Sequence, residues 1–442
     1  MIQRFLAVAI GCLCGIHGVA RAQVSVETTR LVEGAESLVE GPGYPVGEGT
    51  VVHPIVGLET GFTNNVFYTD SNTRSSAILR VLVEAALGSK TIKPEVAGET
   101  YIEDEEAPAE ASNQALIYRL GARLSYTQYL SGTDAISDQG GLGALVNGHL
   151  EVHPKDKVSF MADENFLRDL RPTNHFGFQQ TNRIVNTSAV GLRIRPGGGA
   201  MQGSLRWDNQ IDFFEEESQR FANRMINAIA AGYEWQLFPY TKLFADFNYS
   251  FIGGIGNDGA AIPSIKRSAQ PIRGGVGIAT ALSALITAKL NAGWAYASYD
   301  GGASYNTPVL GAEIGYRYSP LGRFFAAYSW DHRDSINADF YRDHLVRAGV
   351  EQPLGRVLGG LFGEVHLRKY QGISPDIGPP QRDDVLLIGT LRAMYVHRDW
   401  LAVLLELRAQ SVATDYMPVA GGPFADPSFT RLDATLGVRA AL

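Results

Sequence analysis

Alternation of apolar and polar side chains, interrupted only at Phe244, runs through KLFADFNYSF, residues 242–251. One face carries Leu243, Ala245, Phe247, Tyr249 and Phe251, and the other carries Lys242, Asp246, Asn248 and Ser250. Successive side chains of an extended strand point to opposite faces, so a period of two residues is that of a β-strand. The stretch therefore predicts a strand with one apolar face and one largely polar face.

Further segments of this kind start at Leu310, Leu401 and Leu432. They are roughly 11 to 15 residues long, whereas strands of soluble proteins average about five or six. Beyond Gln23, no apolar run approaches the ~18 residues that mark a membrane-spanning helix. The 49 Gly, 19 Tyr and 20 Phe residues also favour strands and tight turns. The chain is predicted to be all-β.

Short turns and longer polar loops alternate along the chain. The short turns lie at 154–157, 196–199, 239–241, 320–322 and 353–355, and the longer loops lie near 171–182, 214–223, 252–272, 333–341, 371–383 and 415–428. Aromatic residues gather near the predicted strand ends, at Phe213, Trp235, Phe238, Tyr318 and Tyr395. Outer-membrane barrels have short periplasmic turns, long external loops and aromatic girdles. We therefore predict a transmembrane antiparallel outer-membrane β-barrel of about 18 strands (roughly 16 to 18) over residues 53–442, with both ends periplasmic.

Residues 1–22 have the features of a secretory signal peptide. A short apolar region precedes Ala-Arg-Ala at residues 20–22, which matches a small-x-small cleavage pattern. Both cysteines, Cys12 and Cys14, lie in this segment, so the exported chain is predicted to contain no disulfide and no thiolate metal site. Residues 23–52 are rich in Gly, Glu and Pro and are expected to form a flexible periplasmic segment.

Two segments depart from the barrel pattern. Val158, Phe160 and Ala162 begin a clean apolar face, which Glu164 interrupts. This interruption predicts a β-bulge or an early strand end. The segment 89–113 is strongly acidic and is expected to be a periplasmic insertion, acting as a solvated loop, a docking segment or a plug.

The polar face of each strand is expected to line the lumen, because the other face of a closed membrane sheet meets hydrocarbon. The predicted lumen-lining residues carry both signs of charge and are Arg119, Arg123, Arg206, Asp208, Asp246, Glu313, Arg317, Arg347, Glu351, Glu364, Arg368, Glu406 and Arg408. The sequence leaves two interpretations open. The charges either create a transverse field that orients polar solutes at a constriction, or form ion pairs that brace the wall.

No enzymatic activity and no cofactor are predicted. The sequence contains no HExxH or GxSxG motif and no pair of histidines spaced for a metal. The most suggestive group is Asp331-His332-Arg333-Asp334, but alternation points His332 away from its two neighbours. We therefore interpret this group as a structural cluster at the rim. The formal net charge of −8 gives no electrostatic support for nucleic-acid binding.

The stretch GLETGFTNNVFYT, residues 57–69, resembles the opening strand of the β-barrel porin 2 family. Barrels of that family begin with a Gly-x-x-x-Gly-aromatic-x-x-Asn-Val pattern, followed by a polar loop and a strand similar to 78–87. The resemblance extends loosely over residues 53–442. It implies a part in exopolysaccharide export across the outer membrane, with the polysaccharide and periplasmic export components as partners. It implies no catalytic residues.

Three functions are left open by these observations. They are exopolysaccharide export, passive diffusion of small polar solutes, and a structural or docking barrel without transport. In the first case, aromatic side chains in the lumen would stack on sugar faces, and the candidates are Phe244, Phe325, Phe362 and Tyr370. These rings could equally fill the interior. The other expected partners are outer-membrane lipid and the barrel-assembly machinery.

Overall fold

Alternating sequence produces long antiparallel strands in the computed structural model, which describes residues 43–46, 49–89, 115–169, 182–196, 199–255, 267–319, 322–336, 338–375, 378–417 and 426–441. The predicted signal peptide and the acidic segment beyond Ser89 lie outside these residues. Two short helices occur among the described residues, namely α1 (Asp134–Ser137) and the 3-10 helix Glu217–Ala222. Among the described residues, no helix is long and apolar enough to cross a membrane.

The described strands follow one another along the chain, with few other elements between them. They are β1 (Tyr44–Pro45), β2 (Thr50–Thr63), β3 (Ser76–Ser89), β4 (Leu116–Leu130), β5 (Gly141–Val152), β6 (Val158–Asp169), β7 (Arg183–Ile194), β8 (Met201–Phe214), β9 (Arg224–Phe238), β10 (Thr241–Gly254), β11 (Ile272–Ala281), β12 (Ile286–Ser298), β13 (Ser304–Arg317), β14 (Arg323–Asp334), β15 (Phe340–Leu354), β16 (Val357–Gln371), β17 (Gln381–Arg398), β18 (Leu401–Thr414) and β19 (Phe429–Ala441).

The sheet closes on itself. From β2 to β19, each strand pairs antiparallel with the next along the chain, and β19 pairs antiparallel with β2 from Asp433–Thr63 to Ala441–Ile55. The short strand β1 pairs with Val51 and Val52 of β2. It lies along the same edge of β2 as β19, beyond the point where β19 ends. The prediction of an all-β, closed antiparallel barrel with eighteen strands is confirmed. The barrel begins at Thr50, slightly before the predicted boundary.

The outer face of the barrel is an apolar surface. Leu58, Val276 and Leu361 are 54%, 63% and 55% exposed, whereas the neighbouring inner residue Glu59 is 2% exposed. A soluble protein rarely leaves a large contiguous apolar surface uncovered, but a membrane barrel places that surface against hydrocarbon. Aromatic side chains such as Phe238 and Tyr240, 62% and 75% exposed, lie near the strand ends, where interfacial girdles are found.

The two ends of the barrel differ. One end carries the start of β2 and the end of β19. Its connections are short, at 153–157, 195–200, 239–240, 282–285, 318–322, 355–356 and 399–400, except for the one between β3 and β4, which spans residues 90–115. Most of the connections at the other end are longer, as predicted, and the outer-membrane arrangement makes that end the external one. The predicted loop at 333–341 is an exception, because only residues 335–339 separate β14 from β15.

The prediction of a bulge or early end between 158 and 170 is wrong. Strand β6 runs without interruption from Val158 to Asp169, and its pairing with β7 shows no register shift. Alternation therefore keeps its phase through Glu164, which lies on the outer face with Val158 and Phe160. The interruption in the sequence pattern is a polar residue at an outward position.

The assignment of inner and outer faces predicts opposite results for one substitution at two sites. Leu407→Arg places a charge on the outer face near the middle of β18, where Leu407 is 36% exposed. We expect it to destabilise the folded barrel by about 2–4 kcal/mol. Gln410→Arg, on the inner face of the same strand, should have little effect. Unfolding of both variants in lipid vesicles measures the difference, and equal costs would contradict the assigned faces.

Candidate functional site in the barrel lumen

The predicted lumen residues all lie on the face opposite to the exposed apolar side chains. This set comprises Arg119, Arg123, Arg206, Asp208, Asp246, Glu313, Arg317, Arg347, Glu351, Glu364, Arg368, Glu406 and Arg408, together with Phe244, Phe325, Phe362 and Tyr370. Alternation alone locates them, because the pleat repeats every two residues and the strand registers are regular. Their part in transport stays a prediction.

Several of these charges form ion pairs along the wall. Arg206 lies 2.7 Å from Asp208, and Arg392 lies 2.7 Å from Glu406. Arg123 lies 2.9 Å from Glu84 on the neighbouring strand. Pairs between side chains of the same or adjacent strands brace the wall, which is one of the two arrangements that the sequence left open. Such pairs also keep a polar surface toward the lumen.

The predicted aromatic residues Phe244, Phe325 and Phe362 lie against the wall, in the half of the barrel that carries the short turns. The Lys289 ammonium lies 5.3 Å from the centre of the Phe244 ring, and a Cβ at Gly277 would overlap that ring. The rings of Phe325 and Phe362 are 6.3 Å apart. These rings cover glycine positions on the wall, which is the interior-filling arrangement.

Tyr370 is packed differently, near the external end. It is 2% exposed, and its ring lies 5.1 Å from that of Tyr341. The Arg382 guanidinium lies 4.7 Å from the centre of the Tyr370 ring. The two neighbours occupy the ring surface that a sugar would need. This packing does not fit the prediction that Tyr370 stacks on a sugar.

The hairpin between β14 and β15 turns into the lumen at the external end. We call residues 334–336 and 338–341 the inserted tip. Ile336, Phe340 and Tyr341 in this tip are 2%, 2% and 0% exposed, although they belong to a connection between strands. External loops are usually polar and solvated, so buried apolar residues in this connection indicate that it packs inside the barrel.

Two apolar clusters hold the inserted tip. Phe340 packs with inner-facing residues of the strands around it, namely Ile226, Ile252, Ala295, Ala297, Tyr305 and Val309. Ile336, Ala338 and Tyr341 pack with a second set, at the external ends of β8 and β16 and in the connections after β8, β16 and β18, namely Phe214, Phe221, Ala222, Tyr370, Ile373 and Tyr416. The tip therefore bridges the lumen between these two sets of residues.

The hairpin can turn inward because β14 leaves β13 near the external end. The pairing between these strands stops at Leu310–Trp330, so the segment 304–309 is not paired with β14. The backbone of His332 finds other partners: its carbonyl accepts a hydrogen bond of 2.6 Å from Arg273, and its amide donates to Asp331. Pro308, which has no amide proton, lies in the segment that pairs with β12 but not with β14, as expected for proline at a strand edge.

A chain of buried charges fixes the inserted tip to the far wall. Arg183 lies 2.9 Å and Arg224 lies 2.6 Å from the two carboxylate oxygens of Asp212. Arg224 also pairs with Asp334 at the start of the tip. Tyr299 donates a hydrogen bond of 3.1 Å to the other oxygen of Asp334. This group joins β7, β8 and β9 to β14 across the lumen, and we call it the cross-lumen clamp.

Tyr299, which lies in the turn after β12, contributes to the clamp as a hydrogen-bond donor. Burial raises the pKa of Tyr299 well above its ordinary value, and the Asp334 carboxylate raises it further. The hydroxyl therefore keeps its proton at any physiological pH and can donate to Asp334 throughout that range.

A second anchor holds the other side of the tip. Asp339 is 1% exposed and accepts hydrogen bonds of 2.7 Å from Arg267 and 2.8 Å from the backbone amide of Ala303. Gly372 (φ +74°) lies directly against it, and a Cβ at this position would overlap the Asp339 carboxylate. A left-handed backbone and the absence of a side chain both require glycine there.

The group Asp331-His332-Arg333-Asp334 is structural, and it lies inside the barrel rather than at a solvated rim. Asp331 lies 2.7 Å from Arg273 of β11, and Asp334 belongs to the cross-lumen clamp. His332 is 7% exposed and packs 5.0 Å from the ring of Tyr305. Within the described part of the chain, no group of acids, histidines and cysteines is arranged to hold a metal ion.

Some charged side chains on the inner face of the barrel are more accessible. His149 and Asp163, 2.7 Å apart, have side chains that are 36% and 38% exposed, and that of Glu364 is 36% exposed. By contrast, the side chains of the clamp are 6% exposed or less. The inner face is thus tightly packed around the inserted tip. Near the short turns it combines accessible charges with buried ones, because Glu151, Arg193 and Arg439 are 6%, 4% and 2% exposed.

No family model matches the chain, so membership of the β-barrel porin 2 family is not shown. No curated protein matches it either. Similar solved structures include Pseudomonas aeruginosa OpdK with vanillate (9% identity over 88% of this chain and 99% of that chain, TM-score 0.46). Another is P. aeruginosa OccK2 (OpdF) in complex with glucuronate, with 9% identity over 88% of this chain and 98% of that chain and a TM-score of 0.47. A third is Acinetobacter baumannii OccAB4, with 10% identity over 89% of this chain and 99% of that chain and a TM-score of 0.46. Similarity at this level assigns no ligand.

The closed barrel with its outward apolar band makes the chain an outer-membrane β-barrel.

Proposed function

We propose that this protein is an outer-membrane channel for passive diffusion of small polar solutes, with the inserted tip as its constriction. The observation that carries the proposal is the inner wall of the barrel. Eighteen strands enclose an inner face that carries accessible charges, including His149, Asp163 and Glu364. A barrel of about sixteen to eighteen strands is wide enough to hold a water-filled channel.

The inserted tip is the element that would limit the size of the solute. It crosses the lumen near the external end and is fixed by the clamp and by Asp339. Charged residues of both signs around it, such as Arg273 and Asp331, would favour polar solutes over apolar ones. Solutes would pass beside the tip or during its movement.

Exopolysaccharide export rests on the sequence resemblance alone. A polymer lane would need free aromatic faces and a wide bore. The candidate rings cover the wall or, in the case of Tyr370, pack against Tyr341 and Arg382, and the inserted tip crosses the bore. The docking alternative concerns the segment 89–113, which lies outside the described residues beyond Ser89. Diffusion of small solutes fits the described lumen better than either alternative.

Single-channel recording from the purified, full-length protein in planar lipid bilayers tests the proposal. We expect discrete current steps in potassium chloride, from protein whose folding is verified by heat-dependent mobility on a gel. Heat-denatured protein from the same preparation is the control and should give no steps. Folded protein that inserts into the bilayer without conducting would contradict a channel function and favour a structural barrel.

A further inference from the structure

The outer wall carries a band of polar residues where lipid contact would require apolar ones. We call Glu164, Asn186, Ser188, Asn209 and Asn227 the polar stripe. Glu164, Ser188, Asn209 and Asn227 form one continuous cross-strand row over β6, β7, β8 and β9. Asn186 lies on β7, two residues from Ser188. The stripe therefore covers four neighbouring strands.

The alternation of each strand places the stripe on the outer face. On β6, Glu164 lies on the same face as the exposed residues Val158 and Phe160, because even numbers of positions separate them. On β7, Ser188 lies on the same face as the exposed residues Val190 and Leu192. Asn209 on β8 shares its face with Leu205 and Trp207, and Asn227 on β9 with Ile229 and Tyr233, all of which are exposed. The stripe is thus surrounded by side chains of the lipid-facing band.

Glu164 lies at membrane depth. It is exposed, and the end of β6 at Asp169 lies five positions further along the strand. At about 3.3 Å per residue, this distance is roughly 17 Å along the strand, which a glutamate side chain cannot span to reach water at the strand end. Among the described strands, no other outward position more than three residues from a strand end carries Asp, Glu, Lys or Arg.

The stripe also has unused hydrogen-bonding capacity. Asn209 donates a hydrogen bond of 2.9 Å to Asn227, and Asn186 donates one of 3.2 Å to Ser188. Each side-chain amide has two donor hydrogens and an acceptor oxygen, so these contacts leave groups available. Within the described part of the chain, no side chain forms a hydrogen bond or ion pair with Glu164. Lipid tails offer no partner to such groups.

We propose that the polar stripe is the contact surface for a second copy of this chain within the outer membrane. The stripe is complementary to itself, because the amides of Asn186, Asn209 and Asn227 supply the donors that the Glu164 carboxylate needs. A two-fold axis along the membrane normal at β7 would set β6 of one copy against β8 of the other. This arrangement places Glu164 of each copy against β8 of the other copy, the strand that carries Asn209. The contact therefore occurs twice in each dimer.

The surface beside Glu164 permits a close approach. Gly148 of β5 is its cross-strand neighbour and has no side chain, and a Cβ added there would lie 3.8 Å from the Cβ of Glu164. The carboxylate is therefore not covered by its neighbour on that side. Small residues at membrane interfaces allow two backbones to come close enough for polar groups to meet.

Cysteine cross-linking in intact outer membranes tests the interface. The only two cysteines of the sequence, Cys12 and Cys14, lie in the predicted signal peptide, so Ser188→Cys provides a reporter at the proposed axis. Leu387→Cys, at an outward position of β17 that is 46% exposed, is the matched control on the far wall. We expect Ser188→Cys to form a dimer of this chain at least tenfold more efficiently than Leu387→Cys. Adding Glu164→Leu and Asn209→Leu should reduce that yield at least fivefold while the barrel still folds.

Three results would overturn the proposal. Equal cross-linking of the two reporters would show that the stripe does not meet a second copy. An adduct whose mass is not a multiple of this chain would show that another molecule covers the stripe. An unchanged dimer yield in the Glu164→Leu, Asn209→Leu background would show that the polar groups do not hold the contact. The test does not depend on channel activity.

Discussion

A variant in which a Gly-Gly turn replaces residues 335–339 is expected to conduct several-fold more current than the wild-type barrel. The replaced residues include Ile336, Ala338 and Asp339, which fasten the inserted tip to the apolar clusters and to Arg267. Without them, the element that crosses the outer part of the lumen is shorter and keeps only Asp334, Phe340 and Tyr341 of its anchoring residues. The current per channel in planar bilayers measures the change, and the rest of the wall remains as it is.

The control is a turn of equal length at the opposite end. A Gly-Gly turn in place of residues 318–322, between β13 and β14, changes the same number of residues but removes nothing from the external lumen. Its current should match that of the wild type. If the two variants conduct equally, the inserted tip is not the constriction.

Replacing Arg224 by methionine is expected to lower the free energy of unfolding by about 3–5 kcal/mol, because loss of one partner leaves a buried charge uncompensated. The Arg224 side chain is 0% exposed and pairs with both Asp212 and Asp334. Arg183 would still compensate Asp212, but Asp334 would lose the guanidinium that joins it to the far wall and retain the hydrogen bond from Tyr299. Denaturant unfolding in lipid vesicles gives the loss directly.

Lys369→Met is the matched control for this measurement. Lys369 and Asp383 form an ion pair of 2.6 Å whose side chains are 51% and 49% exposed. A solvated pair of this kind contributes about 0–1 kcal/mol. The double variant Arg224→Met, Asp334→Asn should recover part of the loss, because it neutralises the carboxylate that Arg224 no longer balances. A cost at Arg224 no larger than that at Lys369 would contradict the role of the clamp.

The barrel itself could be predicted because its cause is local. In stretches such as 242–251, every second residue is apolar, and a closed membrane sheet requires this alternation on every strand. The same alternation located the lumen residues, since strand phase decides which face a side chain occupies. The sequence could not predict which side chains those residues contact. Arg224 and Asp334 are 110 positions apart in the sequence, and only the curvature of the barrel brings them together.

The inserted tip was missed because strand periodicity does not report the direction of a hairpin. The stretch 333–341 was predicted to be a long external loop, yet Ile336, Ala338 and Phe340 are apolar and buried. Their spacing in a connection expected to be polar was the available signal. At Glu164, the sequence showed the irregularity but not its cause. A shift in strand phase and a polar residue on the outer face give the same pattern, and only the continuous register of β6 separates them.

Liposome swelling with a graded series of sugars tests the central claim most directly. Vesicles that contain the purified, folded barrel are exposed to a pentose, a disaccharide and a long dextran. We expect fast entry of the pentose, slower entry of the disaccharide and no entry of the dextran, because the inserted tip narrows an otherwise polar lumen. Entry of none of the three would contradict a diffusion channel, and entry of the dextran at the rate of the pentose would show that the tip is no constriction.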